Sequence, residues 1–315
     1  MTKKRWVIFL IGVASVACLW LLKIWQENPS KTSHLKYKIG SYFFPIKISE
    51  WDDQKIPCVP IQIENQTFSL SIDLGCASNV CFSSRILNGL QDKTYLKMRK
   101  SYGMRGKFYE KSIYDVPKID MGAVTFSHLS VDEESEDFLK DAILLKEGDS
   151  YSALGMGRVG WALFKNTNLL LDLGNSKIAF CDSLDTLAKE GYLKKSFVRT
   201  PLLFNDNILQ IQACTSNGPI CCWLDTGATW NILNIENNEN KSAEQFAWDS
   251  NHFKTIPMFK INQRDFGPIK FHEIPVQFPF HVQAILGMEF FNSHVVFLDF
   301  DKNYAYFAKK PLHNL

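Results

Sequence analysis

Short apolar runs broken by Gly, Asn, Asp and Pro alternate along this chain, and their order in the first half returns in the second. Pro60-Ile61-Gln62-Ile63, a polar turn at Glu64-Asn65-Gln66 and the run Thr67 to Ile72 lead to Asp73-Leu74-Gly75-Cys76. Leu209-Gln210-Ile211-Gln212, a turn at Ser216-Asn217-Gly218-Pro219 and the run Ile220 to Leu224 lead to Asp225-Thr226-Gly227-Ala228. Runs of this kind between such turns predict strands and hairpins. Each half then offers an apolar-apolar-Gly turn, Ala153-Leu154-Gly155 and Ile285-Leu286-Gly287. Further on, Leu169 to Phe180 and Val295 to Phe307 each pass from an apolar stretch through an Asp and a Gly-Asn or Asp-Lys-Asn turn into a second stretch ending in Phe. Both read as β-hairpins. A pattern met twice in the same order marks internal duplication and two homologous lobes.

The N-terminus breaks this pattern. Lys3-Lys4-Arg5 precede an uncharged, predominantly apolar run from Trp6 to Leu22, long enough for one transmembrane helix. Ala14-Ser15-Val16-Ala17-Cys18 also offers a small-residue cleavage site, so residues 1–25 read as a membrane anchor or a signal segment. The basic cluster favours an inside N-terminus, which puts the body outside the cytoplasm, secreted or periplasmic if the segment is cleaved. A linker at 26–38, an N-terminal lobe at 39–182, a helix-prone connector at 183–197 and a C-terminal lobe at 198–315 follow. The acidic stretch Asp132 to Asp141 and the Asn- and Glu-rich stretch Glu236 to Ser250 read as solvated loops or short helices. The expected fold class is all-β: two β-barrel-like lobes with a cleft between them, preceded by one transmembrane helix.

Composition narrows the partners. The 315 residues suffice for two cores, and a net charge of +2 without a basic stripe gives no footprint for nucleic acid. Of the cysteines, Cys18 lies in the apolar run and seven lie in the body, an odd number that excludes complete intrachain pairing. Cys214 and Cys221 or Cys222 sit on two arms of one predicted hairpin, either as a facing pair or as small buried residues. No Cys-x-x-Cys or His-Glu-x-x-His spacing occurs, so neither a metal nor a cofactor is expected. Gly155-Met156-Gly157-Arg158-Val159-Gly160, with Asp172 downstream, spells a dinucleotide fingerprint, but its preceding strand is very short and no crossover helix follows.

The chemistry lies in Asp73 and Asp225, which end equivalent strands. Two carboxyl groups brought together across a pseudo-two-fold axis titrate as a pair, one taking a proton from water while the other donates to a carbonyl. Gly75 and Gly227 let the backbone turn tightly beneath them. With these elements the chain resembles the bilobal aspartic peptidases of the pepsin and retropepsin class over most of residues 58–308. Asp225-Thr226-Gly227-Ala228 is that family's signature unaltered, and Ser101-Tyr102-Gly103-Met104-Arg105-Gly106 resembles its flap hairpin. The resemblance implies catalytic acids at Asp73 and Asp225 and supporting turns at Gly75, Thr226 and Gly227. It also implies a substrate-covering flap at Tyr102 and Gly103 and a peptide or unfolded protein as substrate. The chain departs from the family at Leu74, where a Thr or Ser hydroxyl bonds across to the opposite loop, and at Cys76, where a small or hydroxyl residue is usual. Three functions stand side by side: a membrane-anchored aspartic endopeptidase, a catalytically impaired peptide-binding module with the same cleft, or a structural envelope domain with a peptidase-derived fold, for which the sequence offers only the anchor.

Overall fold

The computed structural model describes residues 41–52, 55–102, 108–134, 156–235, 252–274 and 282–310. The chain divides into units 1–34 and 35–315, and the described residues all belong to the second. The expected membrane anchor lies outside them, and no helix among the described residues is long and apolar enough to cross a bilayer.

The predicted hairpins form. Pro57–Ile63 pairs antiparallel with Gln66–Asp73 across a turn in which Glu64 and Asn65 take φ of 47° and 63°. Two consecutive left-handed residues match the right-handed twist of the strands they join. The equivalent hairpin joins Ile208–Thr215 to Gly218–Leu224. In each half a later strand then threads between two earlier ones. Gly157–Gly160 runs parallel to the strand ending at Asp73 and antiparallel to Val80–Ser83. Ala284–Leu286 does the same between Gly218–Leu224 and Ile232–Asn234.

This threading moves one expectation. The register Ser71↔Arg158 and Ile72↔Val159 corresponds to Trp223↔Ile285 and Leu224↔Leu286, so the counterpart of Gly287 is Gly160, not Gly155. Residues 153–155 lie outside the described region. The reason for glycine is the same in both halves: a Cβ would lie 2.5 Å from the Cys76 carbonyl oxygen at Gly160 and 2.6 Å from that of Ala228 at Gly287. Since Gly157–Gly160 is a strand rather than a phosphate-cradling loop, the dinucleotide fingerprint has no structural counterpart.

Three sheets make up the described body. One collects strands between Glu50 and Gly160, and another those between Leu203 and Leu286. The third is built by both halves: the hairpins Leu169–Asp172/Lys177–Cys181 and His294–Asp299/Tyr304–Lys309 pair with each other through Leu169↔Leu298, Leu170↔Phe297 and Leu171↔Val296. Phe43–Ile46 and Val198–Pro201 extend its two edges. One apolar cluster runs through both halves, from Phe82, Phe126 and Phe164 to Phe259, Phe271 and Phe290, all fully buried. Burying each such side chain contributes about 1.5–3 kcal/mol.

Two further expectations change. Asp132 and Glu134 are not solvated: both are buried on the strand Val124–Glu134, and the charges there are paired. Cys214 stands opposite Pro219, Cys221 opposite Gln212 and Cys222 opposite Ile211, and all three are free thiols. The connector carries a helix, Leu184–Lys189, whose first turn is capped by the Ser183 hydroxyl accepting from the Thr186 N–H.

Candidate active site

Asp73 and Asp225 each sit where a strand ends in a tight turn, closed by the Cys76 N–H on the Asp73 carbonyl (3.1 Å) and the Ala228 N–H on the Asp225 carbonyl (3.3 Å). Within each turn the glycine N–H donates to its own acid, Gly75 to Asp73 Oδ1 and Gly227 to Asp225 Oδ1, both at 2.8 Å. Each carboxyl also lies over the glycine of the opposite loop. A Cβ at Gly75 would fall 2.6 Å from Asp225 Cγ, and one at Gly227 would fall 2.6 Å from Asp73 Cγ. The two buried acids therefore meet across the paired turns, each carboxyl against the other's glycine.

Thr226 joins the loops. Its hydroxyl accepts the Leu74 N–H at 2.9 Å and donates to the Ile72 carbonyl at 2.7 Å. Leu74, fully buried in the core, returns packing rather than a second hydroxyl. The cross-lobe grip is thus polar from one side and apolar from the other.

A chain of buried charges reaches the pair from behind. Arg158 lies on the threaded strand at the position occupied by Ile285 in the other half. Its Nη1 donates to Asp73 Oδ2 at 2.7 Å, while Nε (3.1 Å) and Nη2 (2.9 Å) fork onto the two oxygens of Glu134. Lys111 Nζ closes the far side of Glu134 at 3.0 Å. Burial alone would raise the Glu134 carboxyl, but Arg158 and Lys111 outweigh it and hold the group down to about 2. For Asp225 the balance goes the other way. Burial first, then the neighbouring Asp73 charge, push it well above the ordinary carboxylate range, against the Gly227 N–H and the more distant Arg158. Asp225 is thus the carboxyl that resists ionisation, and Asp73 is the partner that meets the guanidinium.

Arg158, Glu134 and Lys111 were not legible as site residues, because their pairing spans three separate strands and Glu134 sits in an acidic run that reads as solvated. Gly160 had a usable signal: it precedes Asp172 by the same interval as Gly287 precedes Asp299. The hairpin Thr94–Tyr102/Phe108–Met121 forms with Tyr102 opposite Phe108, while Gly103 lies outside the described residues. Arg99 ties this hairpin to the first acid loop through the Ser78 hydroxyl at 2.8 Å and through Asp132.

No family profile matches the chain, and no curated protein does. Solved structures do share its fold. Basic 7S globulin from soybean superposes with a TM-score of 0.58 at 10% identity, covering 88% of this chain and 96% of its own. Conglutin gamma, a basic 7S globulin from lupine seeds, gives 0.58 at 10% identity, covering 87% and 96%. At this identity the likeness concerns architecture alone: the chain has a nearly all-β, two-lobed fold of the coarse pepsin-like kind.

Proposed function

We propose that this chain is an aspartic endopeptidase whose water is activated by Asp73 and Asp225, acting on peptides or unfolded proteins outside the cytoplasm and held at a membrane by its N-terminal segment. The observation that carries this reading is the pair itself. Two buried carboxyl groups face each other across paired turns, each lying against the opposite glycine and steadied by its own glycine N–H. Burying a carboxyl beside another carboxyl costs stability, and arrangements that do so cluster at sites of proton chemistry. In the proposed reaction a water between the acids gives a proton to Asp73 as its oxygen attacks the scissile carbonyl, and Asp225 delivers its proton to the carbonyl oxygen. Collapse of the tetrahedral adduct passes a proton to the leaving amine. Arg158 holds Asp73 through Oδ2 from the side of the threaded strand.

The peptide-binding module is the second reading, and a specific observation favours it. Asp73 Oδ1 already accepts from Gly75 and Oδ2 from Arg158, which weakens this carboxylate as a base, and Leu74 removes one hydroxyl from the grip. The test is hydrolysis of an unfolded protein by the soluble body across pH, with a statine-type inhibitor as competitor. The endopeptidase reading expects cleavage that the inhibitor blocks, that Asp73→Asn and Asp225→Asn each abolish, and that EDTA leaves intact. Inhibitor binding without cleavage would assign the chain to the module instead.

A further inference from the structure

Cys76 and Cys81 take no part in the chemistry above, yet the fold brings them together. Cys76 closes the turn beneath Asp73, and Cys81 lies on Val80–Ser83 in register with Arg158. Their sulfurs are 3.4 Å apart. A disulfide needs about 2.05 Å, so roughly 1.4 Å of approach would join them. Only one of the two is open to solvent: Cys76 is partly exposed and Cys81 is fully buried. Their surroundings divide them further. The hydrogen bond from Cys81 lowers the Cys76 thiol, opposed by burial and helped by Arg158, whereas the same bond and burial push Cys81 well up. An accessible, thiolate-prone sulfur backed by a buried second thiol is the arrangement of an attacking cysteine and its resolving partner.

We propose that Cys76 and Cys81 form a thiol–disulfide site that reacts with low-molecular-weight disulfides of the glutathione class and closes reversibly into an intrachain disulfide. The Cys76 thiolate attacks one sulfur of the reagent; the reagent's S–S bond breaks, and one thiolate leaves with the electron pair and takes up a proton. Cys81 then gives up its proton as its sulfur attacks Cys76 Sγ, expelling the second reagent thiol. Two protein thiols are oxidised and one disulfide is reduced to two thiols. The closed form tethers the turn under Asp73 to the strand that faces Arg158.

The test treats the reduced full chain with oxidised glutathione, quenches with acid, alkylates under denaturing conditions and maps the peptides by mass. The expected product is a Cys76–Cys81 crosslink, two hydrogens lighter than the dithiol and reversed by dithiothreitol. Exposed Cys214, whose sulfur bonds the Thr215 carbonyl, serves as an internal control that stops at a glutathione adduct. In Cys81→Ser the reaction should halt at a Cys76 adduct, and in Cys76→Ser Cys81 should stay unmodified. Alkylation of both Cys76 and Cys81 in the wild type, or a glutathione adduct persisting on Cys76, overturns the proposal. The wild-type map decides even if a variant fails to fold. Since no step depends on peptide cleavage, failure here leaves the peptidase reading standing, and the converse holds.

Discussion

Asp225 has a folded-state affinity for its proton well above that of an unfolded Asp, because burial and the Asp73 charge disfavour its ionised form. Between about pH 3.9, the unfolded value, and its raised folded value, the native state binds more protons than the unfolded chain, so this group's contribution to stability falls as pH rises through that window. Asp225→Asn removes the penalty. Thermal melts should show the variant above wild type at pH 7 and level with it near pH 3; a lower midpoint at pH 7 would contradict the assigned environment. Glu134 has the opposite sign: its carboxyl is held down to about 2, so it stabilises above about pH 4.3 and loses that contribution as pH falls toward 2. Glu134→Gln leaves Arg158 and Lys111 buried without their shared partner. Urea titration at neutral pH should show a loss of about 3–5 kcal/mol. Arg158 also opposes the raised state of Asp225, so in Arg158→Met the alkaline limb of the pH–rate profile should move to higher pH. An unmoved limb would mean that Arg158 does not address the pair.

Between elements, the bond that matters most is the one Thr226 makes into the opposite half. Thr226→Val keeps the shape but strands the Leu74 N–H and the Ile72 carbonyl, each at about 1–3 kcal/mol. Denaturant unfolding should therefore show a loss much larger than a surface substitution gives, whereas Leu74→Thr exchanges buried packing for a hydroxyl and should alter the cleavage rate only modestly. The hairpins around Glu64-Asn65 and Ser216-Asn217 were readable from sequence because turn residues and apolar spacing act locally. The threaded strands were not equally readable. Their parallel pairing joins residues as far apart as Ser71 and Arg158, and Ala153-Leu154-Gly155 spells the apolar-apolar-Gly pattern that Arg158 breaks, so only the interval to Asp172 points to Gly160. The two acids were legible through their repeated surroundings; the charges behind Asp73 were not, because Glu134 looks like any surface acid until its strand is placed.

On the scale of the whole body, the halves are joined by more than the Asp loops. Leu169–Asp172 borders His294–Asp299 at the centre of the shared sheet, and one apolar cluster continues across it. During synthesis the first of these strands emerges long before the second, and until His294–Asp299 arrives its hydrogen-bonding edge, with the fully buried Leu170 and Leu171, has nothing to lie against. The last segment thus acts as a donor strand for the first half, and assembly is gated by its delivery. A chain cut after Ser293 should sediment on centrifugation where the intact body stays in solution. A synthetic peptide spanning residues 294–309, added during refolding, should return it to the supernatant by filling the vacant edge, and a truncated chain that stays soluble and monomeric on its own would show that the edge needs no such chaperoning.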